Sequence, residues 1–196
     1  MPKDLIAHYS KSIRTPYDAQ KLLHSFEYNT EKNGETLKSA NEALKIKKSH
    51  CHEACFIASA LLEKHGYEPL VLSLESVDCL DHVVYLFKHG DKWGAVGHSR
   101  DEGLHGRKAV FDSPKDVAKS FIDDYVDKTG RIKAYAVASL NDCKADWRYS
   151  TRNVWSVEQY LIDYPHKPIN CSHSHYKKLH ARYMSGLKPE KKSYWL

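Results

Sequence analysis

The residue types best suited to chemistry in this chain are a cysteine at a predicted helix start and a histidine at a predicted strand start. Cys51 precedes an apolar run that stops at Gly66, which predicts one helix with Ser49 as the N-cap. Cys51 then lies in the first helical turn, where unpaired backbone N–H groups and the positive end of the helix dipole stabilise a thiolate. His82 begins a strand-like run further on. This is the order of a cysteine nucleophile and its base, so the pair predicts attack on a carbonyl carbon.

The elements that carry these two groups must also bring them together. The first half of the predicted helix places Cys51, Cys55 and two alanines on one face, and such small side chains let a helix approach a sheet closely. We interpret Cys55 as core filler. His82 shares a strand face with Val84 and Leu86. If these two residues face the helix, His82 faces it too.

Length and composition predict an ordinary globular chain. The 196 residues fit one domain with a real core, and 41% hydrophobic and 28% charged residues are typical of a soluble protein. No apolar run is long enough to span a bilayer, and Met1 to Ile6 lack the apolar core of a signal peptide. The five cysteines are odd in number and irregularly spaced, which favours free thiols. We therefore expect a cytoplasmic protein without a membrane partner.

Basic residues are concentrated at the end of the chain. Residues 165–196 contain seven Lys or Arg and one acid and carry +6, whereas residues 1–164 carry −1, which gives the formal charge of +5. We divide the chain accordingly into a domain at 1–164 and a basic helical segment at 165–196 that packs on it. The segment could bind an acidic partner such as a nucleic acid, or it could be a solvated helix with a frayed tail. Trp195 offers a third alternative, in which the tail docks on the body.

The 13 histidines raise the question of a metal site. His50, Cys51, His52 and Cys55 are close in sequence, but they match neither a paired Cys-x-x-Cys site nor a His-Glu-x-x-His helix. Successive side chains on a helix also point about 100° apart, which would keep them from sharing one ion. The sequence predicts neither a metal nor a cofactor.

The remaining pattern places helices before strands. A helix is predicted from Pro16 to about Phe26, and a second from residue 35 to 47, ahead of the cysteine helix. The predicted strands are 70–74, 82–87, 93–98 and 132–139, and the later helices are 113–129, 153–162 and 174–184. This order predicts an α+β fold in which the nucleophile-bearing helix packs on a mainly antiparallel sheet.

This arrangement resembles the transglutaminase-like branch of the papain-like cysteine enzymes. The matching features are Cys51 before an alanine-rich helix, the helix ending Leu61–Tyr67, a strand, and then His82 and Trp93, all within residues 35–100. The resemblance implies a papain/transglutaminase-like core. It also implies that Cys51 is the nucleophile, that His82 is the base, and that an aspartate near the end of the next strand orients the imidazole.

One position departs from this family pattern. The residue that stands where the aspartate is expected is Gly97. Ser99 lies on the same strand face and could accept the His82 N–H, and Asp101 could do so if the chain bends back. A hydroxyl orients an imidazole but stabilises imidazolium much less than a carboxylate does. The candidate catalytic set is therefore Cys51 and His82 with either Ser99 or Asp101.

Two functions of different classes fit this set. The first is a thiol-dependent hydrolase or acyltransferase on an amide, isopeptide or peptide bond, in which an acyl-thioester on Cys51 passes to water or an amine. The second is a binding module that keeps the fold with weakened chemistry and holds a protein or nucleic acid. The Cys51–His82 pair favours the first, and Gly97 favours the second. Arg100 and Arg107 flank a glycine-bearing loop and could bind an anionic substrate group or simply be solvated.

Overall fold

The computed structural model describes residues 4–196 as seven α-helices and eight β-strands. Met1–Lys3, part of the N-terminal stretch in which we expect no signal peptide, lie outside the described residues. The helices are α1 (Leu5–Tyr9), α2 (Pro16–His24), α3 (Ala40–Ile46), α4 (Cys51–Leu62), α5 (Pro114–Lys119), α6 (Trp155–Asp163) and α7 (His173–Met184). The strands are β1 (Glu27–Tyr28), β2 (Lys48–Ser49), β3 (Leu70–Ser76), β4 (His82–His89), β5 (Lys92–Val96), β6 (Arg107–Phe111), β7 (Ile132–Ser139) and β8 (Lys167–Pro168).

Six strands form one sheet in the order β6-β5-β4-β3-β7-β8, and all five pairings are antiparallel. β1 and β2 form a separate parallel pair. α4 packs on β4 and is surrounded by α1, α2 and α3. The predicted α+β class with a mainly antiparallel sheet is confirmed. Among residues 4–196, no helix combines the length and apolar character that a membrane crossing needs.

α4 is the central helix, and only its first turn reaches a cleft. Its N-cap is His50 rather than the predicted Ser49, and His50 forms a reciprocal capping box with Glu53. Every residue from Glu53 to Leu62 is buried. The helix continues into a 3-10 turn that closes at Gly66 with φ +83°, a left-handed conformation that glycine adopts without strain.

The sheet separates two apolar clusters, and this corrects the predicted strand faces. The β4 residues that pack with α4 are Val83, Tyr85 and Phe87. Val84 and Leu86 face the opposite side, where they pack with Phe121. The His82 ring is on that side too, 6.1 Å from the Phe121 ring. The condition that would have aimed His82 at α4 is therefore not met.

Three other boundaries differ from the predictions. α3 begins at Ala40 rather than residue 35, because Ser39 caps it and the Lys38 N–H donates to Glu53 instead (2.9 Å). α5 ends at Lys119 and gives way to turns well before residue 130. The short helix α1 and the strands β1, β2, β6 and β8 were not predicted. The other predicted strands, and the helices α2, α6 and α7, are found within a few residues of their expected bounds.

The last residues of the chain dock on β6. The Lys108 N–H donates to Tyr194 O (2.8 Å), and the Leu196 N–H donates to Gly106 O (3.1 Å). Trp195 forms an isolated antiparallel bridge with Arg107. The tail thus continues the sheet edge and is not frayed.

Candidate active site

The first turn of α4 opens into a cleft of about 850 Å³. All four predicted site residues line it, namely Cys51, His82, Ser99 and Asp101. The start of α4 forms one wall, the start of β4 and the loop after β5 form another, and Trp195 of the docked tail contributes to the lining. The structure therefore places the candidate residues in one cleft large enough for a polymer segment.

The Cys51 thiol is half-buried and surrounded by imidazoles. Its Sγ lies 3.6 Å from His52 Nδ1. Burial by itself would raise the pKa of Cys51, but the nearby His52 charge and hydrogen bonding with His50, His52 and His82 lower that pKa well below its usual value. By contrast, burial raises the pKa of Cys55. Cys51 is thus the thiol that this environment favours as a thiolate.

His82 is buried and held by a backbone carbonyl. Its Nε2–H donates to Leu104 O at 2.9 Å, and because a carbonyl can only accept, Nε2 must carry a proton. The other ring nitrogen, Nδ1, is then the atom free to exchange a proton. β4 and β5 pair only from Tyr85↔Val96 onward, so the chain after β5 is free to cross beside His82. Hydrogen bonding with His82 is one of the causes that lower the pKa of Cys51, so the two side chains are close although His82 shares the Phe121 side of the sheet.

Ser99 and Asp101 make other contacts. Ser99 Oγ accepts the Asp101 N–H (3.2 Å), and Ser99 O lies 2.8 Å from His105 Nε2. Among the described residues, neither side chain bonds to His82. The group that orients His82 is Leu104 O, and no sequence signal could have identified it because every residue carries a carbonyl.

Gly97 occupies a position with no room for a side chain. A Cβ there would lie 2.7 Å from Val84 Cγ1. Its backbone is also held at both ends by Gln20, which accepts the Gly97 N–H (3.0 Å) and donates to Gly97 O (2.8 Å). The family's aspartate could not fit at this position without displacing Val84.

Three further histidines hold the loop after β5 against the helices. His98 Nδ1 lies 3.0 Å from Ser49 Oγ, and His105 Nδ1 lies 2.9 Å from His24 Nε2. Burial, with help from the neighbouring histidines, lowers the pKa of His98 to about 4. Burial likewise lowers the pKa of His24 and of His105. These imidazoles favour their neutral forms, and His98 is a buried polar residue.

His50 is the site residue whose role sequence reasoning missed. Its Nε2 is 2.8 Å from Thr36 O, 3.8 Å from Glu53 Oε1 and 3.9 Å from Glu31 Oε1. Glu53 is fully buried and also accepts the backbone N–H groups of His50 and Lys38. The available signal was a glutamate three residues after a possible cap, as in a capping box.

The start of α4 also brings side chains together that were expected to diverge. Ligand-type atoms of His50, Cys51 and His52 lie within 4.8 Å of one another. The expected 100° separation does not apply, because His50 precedes the helix and has extended backbone angles. Two nitrogens and one sulfur are one ligand short of a closed tetrahedral zinc site.

Arg107 does not face the cleft, which excludes it as a binder of anionic substrates. It is fully buried, and its guanidinium donates to Asp124 Oδ2 at 2.9 Å and stacks 3.7 Å from the centre of the Phe121 ring. Arg100 does line the cleft. The glycine-bearing loop therefore offers one arginine to the cleft and uses the other in the core.

No protein-family model matches the chain, and no curated protein matches it either. What can be said of its function therefore rests on the geometry of the cleft.

Proposed function

We propose that the protein is a thiol-dependent hydrolase or acyltransferase that acts on an amide, isopeptide or peptide bond, built on a papain/transglutaminase-like core. The observation that carries this proposal is the environment of Cys51. A thiol at the N-terminus of a buried helix faces an open cleft, and a fixed imidazole with one free nitrogen lies within reach.

In the first step, the Cys51 thiolate attacks the carbonyl carbon and a C–S bond forms while the C=O π electrons move onto oxygen. The oxyanion then collapses, the C–N bond breaks, and the leaving nitrogen takes a proton from an imidazolium, which we assign to His82. Water attacks the thioester and gives a proton to His82, and the C–S bond breaks to return the thiolate. An amine in place of water would give acyl transfer by the same steps.

The helix start supplies part of the charge stabilisation. The backbone N–H of Cys51, the first helical residue, has no partner within the helix and can donate to the developing oxyanion. The helix dipole adds positive potential at the same point.

The alternative is a binding module with the same fold and little chemistry, holding a protein or nucleic acid in the cleft or an acidic partner on the basic segment 165–196. The observation that favours it is that His82 is oriented by a carbonyl and has no carboxylate partner among the described residues. All five cysteines are free, as expected of a chain in a reducing compartment such as the cytoplasm.

Labelling and turnover together distinguish the two functions. We expect iodoacetamide at pH 6 to label Cys51 first among the five thiols, with the exposed Cys79 as the internal reference. We also expect hydrolysis or aminolysis of a peptide library to vanish in Cys51→Ser and to fall at least a hundredfold in His82→Asn. Fast Cys51 labelling with no turnover on any amide would favour the binding module. Faster labelling of Cys79 than of Cys51 would remove the basis of the enzyme proposal.

A further inference from the structure

The cleft gathers apolar side chains that the fold leaves exposed. Eleven large apolar side chains are exposed among residues 4–196, and five of them line this cleft although only 34 residues form it. Their exposed fractions run from 41% to 65%, and they belong to Leu80, Trp155, Ile162, Tyr183 and Leu187. Large apolar side chains exposed together in one groove are typical of a site that receives the apolar groups of a partner.

One wall of the cleft is a face of α6. Trp155 and Ile162 are seven residues apart, which is about two helical turns, and Glu158 lies between them on the same face. All three line the cleft, whereas Val157 of the same helix is buried in the core. This face therefore presents two apolar surfaces with a carboxylate between them.

The other exposed apolar residues come from separate segments. Leu80 precedes His82 by two residues, so its side chain adjoins the reactive end of the cleft. Tyr183 and Leu187 come from the end of α7 and the turn after it. An occupant that covers apolar surfaces on three segments around a volume of about 850 Å³ needs several side chains, as a polypeptide segment has.

The charges that line the cleft are mostly negative. Glu31 and Asp124 are paired with His50 and Arg107. Six further carboxylates have no Lys, Arg or His partner among residues 4–196, and they belong to Glu35, Asp81, Asp101, Glu102, Asp127 and Glu158. The cationic side chains of the lining are Arg100, Arg182 and Lys188. Six negative and three positive charges leave −3, opposite in sign to the +5 of the whole chain.

We propose that the cleft takes an extended polypeptide that carries both large apolar and Lys or Arg side chains near the amide that is attacked. The carboxylates attract cationic side chains and repel acidic ones, and they would repel the phosphates of a nucleic acid as well. Because Cys51 is half-buried, the segment must be flexible enough to bring a carbonyl to the thiol. This inference rests on the proposed function for the reaction, but binding alone can test the substrate class.

The first test is peptide binding to the full chain with Cys51→Ala, which removes the nucleophile and so prevents turnover. The probes are three fluorescent peptide pools that are random except at two positions, which hold Lys and Phe, Glu and Phe, or Lys and Ser. Fluorescence polarisation should show the Lys–Phe pool binding about tenfold tighter than either of the others. Equal binding of all three pools, or tighter binding of the Glu–Phe pool or of a single-stranded oligonucleotide, would overturn the proposal.

A pair of apolar variants tests the α6 wall in the same Cys51→Ala chain. Trp155→Ala should weaken binding of the Lys–Phe pool about tenfold, because it removes the largest apolar surface of that wall. Ile46→Ala is the matched control, since Ile46 is also 41% exposed but lies outside the cleft. An equal effect of both changes, or of neither, would contradict the assignment of this wall.

A second pair of variants tests the charge. The side chains of Glu102 and Glu158 line the cleft and form no salt bridge within residues 4–196, so the fold should tolerate glutamine at both positions. Glu102→Gln with Glu158→Gln should weaken the Lys–Phe pool about threefold at low salt and have little effect at high salt. Glu68→Gln changes an exposed acid outside the cleft and should leave binding unchanged. Equal affinities in all of these chains at low salt would show that the carboxylates do not select the occupant.

Turnover separates this inference from the proposed function. In the chain with Cys51 intact, the same preferences should appear in KM, and the two glutamine substitutions should leave kcat nearly unchanged. A retained binding preference without turnover on any amide would count against the enzyme and would support the same polypeptide class as the partner of a binding module. Equal kcat/KM for acidic and basic peptides would overturn the substrate class and leave the enzyme standing.

Discussion

At the scale of single residues, the site replaces an expected side chain with a backbone group. Leu104 O fixes the His82 ring, and Gly97 stands where a carboxylate would collide with Val84. A carbonyl holds the ring and its tautomer as well as a side chain would, but it adds no negative charge. The low pKa of Cys51 therefore depends on the surrounding imidazoles and on the helix start rather than on a carboxylate behind His82.

The first residue-scale prediction follows from the contacts of Ser99 and Asp101. Because neither bonds to His82, Ser99→Ala and Asp101→Asn should each leave Cys51 labelling and turnover within about twofold of wild type. Steady-state kinetics on both variants would check this. Loss of a true triad carboxylate costs orders of magnitude, so a large defect in Asp101→Asn would show that the loop closes on His82 when substrate binds.

At the scale of elements, the loop between β5 and β6 is positioned by neutral histidines. His98 bonds to Ser49, just before α4, and His105 bonds to His24 at the end of α2. The same loop delivers Leu104 O to His82. Protonation of these histidines would place positive charges close together, one of them on the buried His98, so the loop should loosen in acid.

The sign of this effect follows from His98. Its folded-state pKa of about 4 lies below the ordinary value of 6.5, so the unfolded chain binds more protons between these values. The stabilisation is complete above pH 6.5 and is lost as the pH falls toward 4, by up to about 3 kcal/mol. Urea unfolding of His98→Gln from pH 7 to 4 should show a shallower loss of stability than wild type. His173→Gln, an exposed control, should follow wild type, and equal slopes in all three would contradict the assignment.

At the scale of the whole molecule, the C-terminal tail packs against a buried ion pair between β6 and the turns after α5. Arg107 and Asp124 are paired with no exposed side-chain surface, and Trp195 packs beside them. Burial raises the pKa of Asp124 to about 6 although Arg107 opposes the rise, and burial lowers the pKa of Arg107 to about 10. Desolvation therefore outweighs the attraction in both groups. Such a pair is costly to break, but its net contribution to stability can be small.

We expect removal of one partner to cost more than removal of both. Asp124→Leu or Arg107→Met alone should lower the free energy of unfolding by about 3–5 kcal/mol, because a buried charge is left without its partner. The double variant should recover a substantial part of that loss. Denaturant unfolding of the four chains gives the coupling energy, and additive losses would show that the two charges act independently.

Deletion of residues 193–196 tests the docked tail. It removes two main-chain hydrogen bonds with Lys108 and Gly106 and uncovers Arg107, so the melting temperature should fall by about 5 °C or more. A Lys191→Ser, Lys192→Ser variant reduces the charge but keeps those contacts, and it should melt within about 1 °C of wild type. An unchanged melting temperature after deletion would mean that the tail contributes nothing to the fold.

The sequence by itself determined the features that depend on neighbouring residues. Capping, apolar periodicity and turn residues act over a few positions, which is why the helix that starts at Cys51, the strand that starts at His82 and the helix from Pro16 could be located. The same local information indicated which thiol lies at a helix start. It placed four of the eight strands, β3, β4, β5 and β7, and it therefore also gave the α+β class.

Tertiary structure decided the features that depend on distant segments. Leu104 O is 22 residues from His82, and the charge on Glu31 reaches His50 only because the chain before α3 folds back on α4. The burial of Arg107 depends on Asp124 and on the tail. The sequence could not determine which face of β4 packs on α4, because both faces are apolar. Alternation shows which residues share a face, but it does not show which face meets the helix. Hydrogen bonds and desolvation between remote segments, which leave no local pattern, therefore set the chemistry of this site.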